Sequence, residues 1–203
     1  MNNQNENNLT DRVLVENVLH GDTNAFKVII KNTEGLVAQI IFKMIPGAED
    51  RKDMAQDIYL KAFQKLGSFK FQSKLSTWIA QIAYNTCINH LEKKKLLLIE
   101  NNDEDNEPDD ETLEILNKKM NPLNNETEKI IFKKEVSAIL KREIDKLSPV
   151  YRTLITLYHN EELNYSEIAA ITQLPEGTVK NYLFRARKTL RNNLLLTYKN
   201  EIL

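Results

Sequence analysis

Apolar residues recur at i, i+3 and i+4 along two stretches of this chain, residues 10–95 and 128–203, and neither stretch alternates as a half-buried strand would. That period builds helices with one apolar stripe, and such stripes are stable only when buried against one another, so an all-α protein is expected. With five glycines and five prolines in 203 residues, few interior breaks are available. Between the two stretches lies an Asn/Asp/Glu-rich tract, NNDEDNEPDDE and then NPLNNETE, too polar to support a core. The expected organisation is a disordered tail over residues 1–9, a helical domain over 10–95, a flexible acidic linker over 96–127 and a second helical domain over 128–203. A short helix around Leu113 to Lys119 is the one element expected within the linker.

Charge divides along the same lines. Residues 1–95 carry 13 basic and 10 acidic side chains, residues 96–128 carry 2 and 11, and residues 129–203 carry 13 and 8, so a net charge of −1 hides two mildly basic blocks either side of an acidic one. Each block is thereby able to face a polyanion. No basic leader with an apolar core opens the chain, and no run of about 18 apolar residues occurs, so a cytoplasmic protein without direct membrane insertion is expected. Cys87, the one cysteine, lies in the apolar stretch Trp78 to Leu91 and is expected to be buried and inert, with no intrachain disulfide.

In the first block, Val13, Leu14, Val18, Phe26, Ile29, Ile30, Val37, Ile40 and Ile41 form an amphipathic run, with turns at Gly21-Asp22 and Pro46-Gly47. A helix from about Asp50 to Leu66 follows, its core stripe Met54, Ala55, Ile58, Ala62 and Leu66. Its other face mixes Asp53, Gln56, Asp57 and Gln64 with the apolar Leu60, which suits either a helix-on-helix interface or a solvated surface. Phe69 to Leu75 then interrupts the period, and Ser76 is the expected N-cap of a long helix to Lys95. Phe69, Lys70, Phe71, Gln72, Ser73 and Lys74 offer aromatic surface, charge and hydrogen bonds, the means of holding unstacked bases and single-strand phosphates. Trp78, among Ile79 and Ile82, reads as core in preference to a stacking platform; Lys93 to Lys95 suit either phosphate contact or a helix C-terminus.

The second block begins with a helix carrying Ile130, Ile131, Ile139, Leu140, Ile144 and Leu147, and Ser148-Pro149 is an N-cap with proline at the first helical position of the next. Asn164 and Glu167 are spaced as a capping box. The short helix they start, the tight segment Thr172 to Gly177 and a final helix from Glu176 to about Tyr198 have the form of a helix-turn-helix. Ile168, Ala169, Leu174, Val179 and Leu183 can pack its two helices, leaving Thr178, Lys180, Asn181, Phe184, Arg185 and Lys188 outside. Five basic residues against one acidic residue between Pro175 and Arg191 suit a helix held against phosphates.

Tyr165 to Ala170, Leu174-Pro-Glu-Gly-Thr-Val-Lys180 and Arg185-Ala-Arg187 resemble the C-terminal DNA-binding domain of extracytoplasmic-function sigma factors. Glu49-Asp50, Asp53 to Asp57, Ile58 to Phe63, Leu66, Phe69, Ser76-Thr-Trp78-Ile79, Ile82-Ala83 and Asn85 to Asn89 resemble that family's N-terminal domain in order and spacing, with Asp57 where many relatives have glutamate. The resemblance implies a non-enzymatic factor that binds core RNA polymerase and directs it to promoter DNA. It implies that Asp50, Asp53, Gln56, Asp57 and Leu60 meet the clamp helices of the largest polymerase subunit. It places Phe69 to Lys74 and Asn85 on the minus-ten element, and Thr178, Lys180, Asn181, Phe184, Arg185 and Lys188 on the minus-35 element. An anti-sigma factor, common in the family, is a further candidate partner. A one-component helix-turn-helix regulator is the rival, but it has no use for the pattern of the first block. An enzyme is not indicated: His20, His90 and His159 are scattered, and neither a Gly-rich phosphate loop nor metal-ligand spacing is visible, so no cofactor and no metal are expected.

Overall fold

The computed structural model describes the backbone of residues 2–93 and 126–202 and the side chains of residues 10–93 and 135–195. The expected linker helix near Leu113 lies outside the described residues. Among these residues every regular element is helical. Helix α1 (Asn2–Leu19) ends at Gly21, whose φ of 99° is open to glycine without strain. Asp22 then accepts from the Asn24 N–H at 2.8 Å and starts α2 (Thr23–Met44). Pro46-Gly47 separates α2 from α3 (Ala48–Lys65), whose first turn carries Glu49 and Asp50 against the positive end of the helix dipole. A 3₁₀ turn (Leu66–Ser68) and a short loop lead to α4 (Leu75–Lys93).

Ser76 is not the cap of α4. The helix already includes it, and the carboxylate that accepts from the Leu75 N–H, at 3.0 Å, belongs to Asp11 on α1. The inward positions of α1 also differ from expectation, since Val15 is buried while Val13 is half exposed.

In the second block, α5 (Glu126–Asp145) precedes α6 (Pro149–His159), which is capped by Ser148 with proline in its first turn. The capping box of α7 (Tyr165–Thr172) is present in both directions: Glu167 N–H donates to Asn164 at 2.9 Å and Asn164 N–H to Glu167 at 3.1 Å. Gln173 turns the chain at φ 58°, and α8 (Glu176–Ile202) follows. Ile168, Val179 and Leu183 are fully buried, as the helix-turn-helix packing requires. Leu140, expected in the core stripe of α5, is 40% exposed; inward packing is concentrated at the helix's end, near Glu143 and Leu147.

The two blocks share one continuous buried core. In the first, α2 packs on α1, α3 and α4; in the second, α6 and α7 pack on α8. Across them α2 packs on α6 and α4 on α7, and residues from Val15 to Ala186 join a single apolar cluster. Each large aliphatic side chain such as Ile40, Ile58 or Leu157 that is wholly removed from water contributes about 1.5–3 kcal/mol. No described helix is long and apolar enough to cross a membrane.

Candidate nucleic-acid and polymerase interfaces

Helix α3 buries Met54, Ile58 and Ala62 and turns Asp53, Gln56 and Leu60 outward, Leu60 being 56% exposed. Asp57 pairs with Lys61 one turn on, at 2.6 Å. Phe63, which the sequence did not single out as a contact, extends the exposed apolar surface and meets Phe26 of α2 edge to face at 5.0 Å. An exposed helix face with an apolar centre and acidic flanks can receive another helix carrying basic residues.

The loop before α4 divides into an inward and an outward part. Phe69 is buried, its ring 4.7 Å from Phe71 and 5.2 Å from Trp78. Phe71, at φ 57°, stays partly exposed beneath the Arg12 guanidinium, 5.0 Å from its centroid. Phe69 and Trp78 therefore act as floor, while Lys70 and Gln72 stand in solvent and Ser73 and Lys74 are half-buried. Lys74 immediately precedes α4, and Asn85 stands eleven positions on, within the helix. Both are engaged by the second block. Lys74 Nζ donates to Glu167 at 2.7 Å and Asn85 Nδ2 to Gln173 at 3.0 Å. Burial pushes the Glu167 carboxyl up, but the Lys74 ammonium and the Asn164 N–H together bring it below the usual range. Neither Glu167 nor Gln173 was identified as a contact from sequence, where their spacing reads only as cap and turn.

On α8, Lys180, Asn181 and Phe184 face solvent, Phe184 at 47% exposure, while Thr178, Arg185 and Lys188 are half-buried. Arg185 Nε donates to Asn181 Oδ1 at 3.2 Å, which orients the guanidinium along the helix. Tyr158 and Tyr165 stack at 5.2 Å, with Arg187 over the first ring and Lys180 over the second, so cations and aromatics tie α6, α7 and α8 together. The outward side of α8 is a basic and amide-bearing helix surface, of the kind that enters a major groove. No group of three or more His, Cys, Asp or Glu able to hold a metal ion is found among the described residues.

The chain matches the family model Sigma-70 region 2 over residues 29–96 and Sigma-70, region 4 over residues 137–190. It is 34% identical to the ECF RNA polymerase sigma-E factor of Escherichia coli (strain K12), covering 92% of this chain and 95% of that protein. The RNA polymerase sigma-H factor of Pseudomonas aeruginosa is 31% identical, with 89% and 91% covered. Among solved structures, CnrH in complex with the cytosolic domain of CnrY matches with a TM-score of 0.58 at 19% identity, over 91% of this chain and 97% of that one. The sigma factor RpoE in complex with the anti-sigma factor NepR from Bartonella quintana matches with a TM-score of 0.56 at 21% identity, over 83% and 96%. These two likenesses show the fold.

Proposed function

Because the chain belongs to the extracytoplasmic-function family of RNA polymerase sigma factors, we propose that its exposed helix faces divide the work of promoter-specific initiation between the two blocks. It is a transcription initiation factor and not an enzyme. In this reading residues 10–95 bind core polymerase and the minus-ten element, residues 128–203 bind the minus-35 element, and residues 96–127 join them. Asp50, Asp53, Gln56, Asp57 and Leu60 of α3 meet the clamp helices, their acids against basic residues and Leu60 at the apolar centre. Lys70 to Lys74 and Asn85 hold the non-template strand, with Phe69 supporting the loop from below. Lys180, Asn181, Phe184 and Arg185 read the upstream element, with Thr178 and Lys188 alongside.

The observation that carries this reading is the coexistence, in one chain, of an outward helix face with Leu60 at its centre and an outward basic face on α8. A one-component regulator would use only the second. The protein works where the polymerase is, in the cytoplasm. An anti-sigma factor is a further partner in this reading, supported by the RpoE structure, which is named as such a complex. Co-purification with core polymerase tests the reading: the chain should form a stoichiometric complex, and Leu60→Ala with Asp53→Lys should lose it while the isolated chain keeps its helical content. Unchanged complex formation by that variant would overturn the assignment of α3.

A further inference from the structure

The loop from Phe69 to Lys74 is gripped from three sides, and two of the grips come from α1. Below, the buried Phe69 ring packs on Phe71 and Trp78. At the loop's end the Asp11 carboxylate accepts from the Leu75 N–H at 3.0 Å, across 64 positions of sequence. Leu75 opens α4, so its N–H is one of the first-turn donors that no carbonyl of the helix can satisfy, and a carboxylate there also meets the positive end of the helix dipole. Above, the Arg12 guanidinium lies over the Phe71 ring, 5.0 Å from its centroid. Phe71 stands at φ 57°, a left-handed conformation that a bulky residue keeps only where its surroundings over-determine it. Helix α1 also packs on the 3₁₀ turn that leads into the loop. Between these anchors Lys70 and Gln72 stand in solvent. Asp11 is half-buried and Arg12 exposed, and neither belongs to the inward side of α1, where Val15 and Val18 are buried.

We propose that Asp11 and Arg12 are positioning residues for minus-ten recognition: α1 holds the loop in one shape, and base preference at the downstream element depends on two side chains that act through the loop. Asp11 fixes the point at which loop becomes helix, and with it the placement of Ser73 and Lys74 just before α4. Arg12 holds the Phe71 ring, and Phe71 in turn sets the backbone from which Lys70 and Gln72 project on either side. A loop released from α1 visits other shapes, and only the fraction in the competent shape reads bases. This inference rests on the minus-ten reading of the loop.

Promoter selection by reconstituted holoenzyme, from a library randomised across both elements, tests this with Asp11→Ala/Arg12→Ala beside the wild type. A loop that keeps its shape only a tenth of the time should lose about tenfold in affinity for the preferred bases, whereas strand held through its phosphates alone keeps its affinity. The variant should therefore select a flattened downstream element and an unchanged upstream one, with wild-type affinity for core polymerase because α3 is untouched. Asp11→Asn, which keeps an oxygen to accept from the Leu75 N–H, should retain the preference. In the free full-length chain, chymotrypsin should cut after Phe71 faster in the double variant, since cleavage tracks the population of the opened loop. Unchanged downstream preference, or unchanged cleavage after Phe71, would overturn the proposal. So would an equal loss over all sequences with a shallower salt dependence, which makes Arg12 a phosphate contact. If the double variant unfolds, Arg12→Gln alone, at an exposed position, must still flatten the downstream preference. The minus-ten reading fails separately: Lys70→Ala/Gln72→Ala would then leave downstream selection unchanged even though Asp11→Ala/Arg12→Ala still frees Phe71 to chymotrypsin.

Discussion

Cys87 shows how far one position can be read from its neighbours. An apolar period surrounds it, and it is fully buried, with its thiol pushed up to about 12 by burial against a smaller opposing pull from Lys61. At neutral pH almost none of it is thiolate, so iodoacetamide should modify Cys87 only as fast as the chain unfolds, and in step with loss of helical signal in a urea series. Rapid modification of the folded protein would contradict the packing of α4. Arg185 is oriented in part by a neighbour one turn back, since Asn181 Oδ1 accepts from its Nε. If that guanidinium makes a bidentate base contact, Arg185→Ala should cost about 1–3 kcal/mol and relax preference at one upstream position. A uniform loss over all sequences would instead make it a phosphate contact. Phe69 corrects the picture of an aromatic loop surface: its ring packs on Trp78, a partner nine residues on that composition does not select.

Helix boundaries were legible where the determinants are local. Ser148-Pro149 and the Asn164–Glu167 box act within four residues, and both start helices where the sequence placed them. The cap of α4 was not legible, because Asp11 reaches it from 64 positions away and no periodicity encodes that. The same holds for the inward and outward parts of the loop before α4. Helix α3 was legible because its two faces separate cleanly, and its Asp57–Lys61 pair, exposed on both sides, is worth only about 0.3–0.5 kcal/mol. Asp57→Lys with Leu60→Ala should therefore leave the fold intact while weakening core binding by more than about 1 kcal/mol, measured by competition for core polymerase against the wild type. Equal competition by the variant would remove α3 from the interface.

Two helical blocks with a DNA-binding fold in the second could be inferred from the sequence, but their packing on one another could not. That packing depends on α4–α7 and α2–α6 contacts between residues some 90–100 positions apart, and on surface side chains that look solvated one at a time. It also carries a pH signature. Glu167 has its carboxyl below the usual range in the folded chain, so its contribution is complete above the ordinary carboxylate pKa and is lost as pH falls through the lower folded value. The stability difference between wild type and Glu167→Gln, from urea unfolding, should thus be present at pH 7 and vanish toward pH 3; a difference independent of pH would place the effect elsewhere.

Transcription by reconstituted holoenzyme on a random promoter library tests the division of labour between the blocks most directly. Two selected elements are predicted, with Arg185→Ala relaxing the upstream one alone and Asn85→Ala weakening the downstream one alone. Transcripts that do not depend on adding this chain, or selected sequences that neither substitution changes, would contradict it.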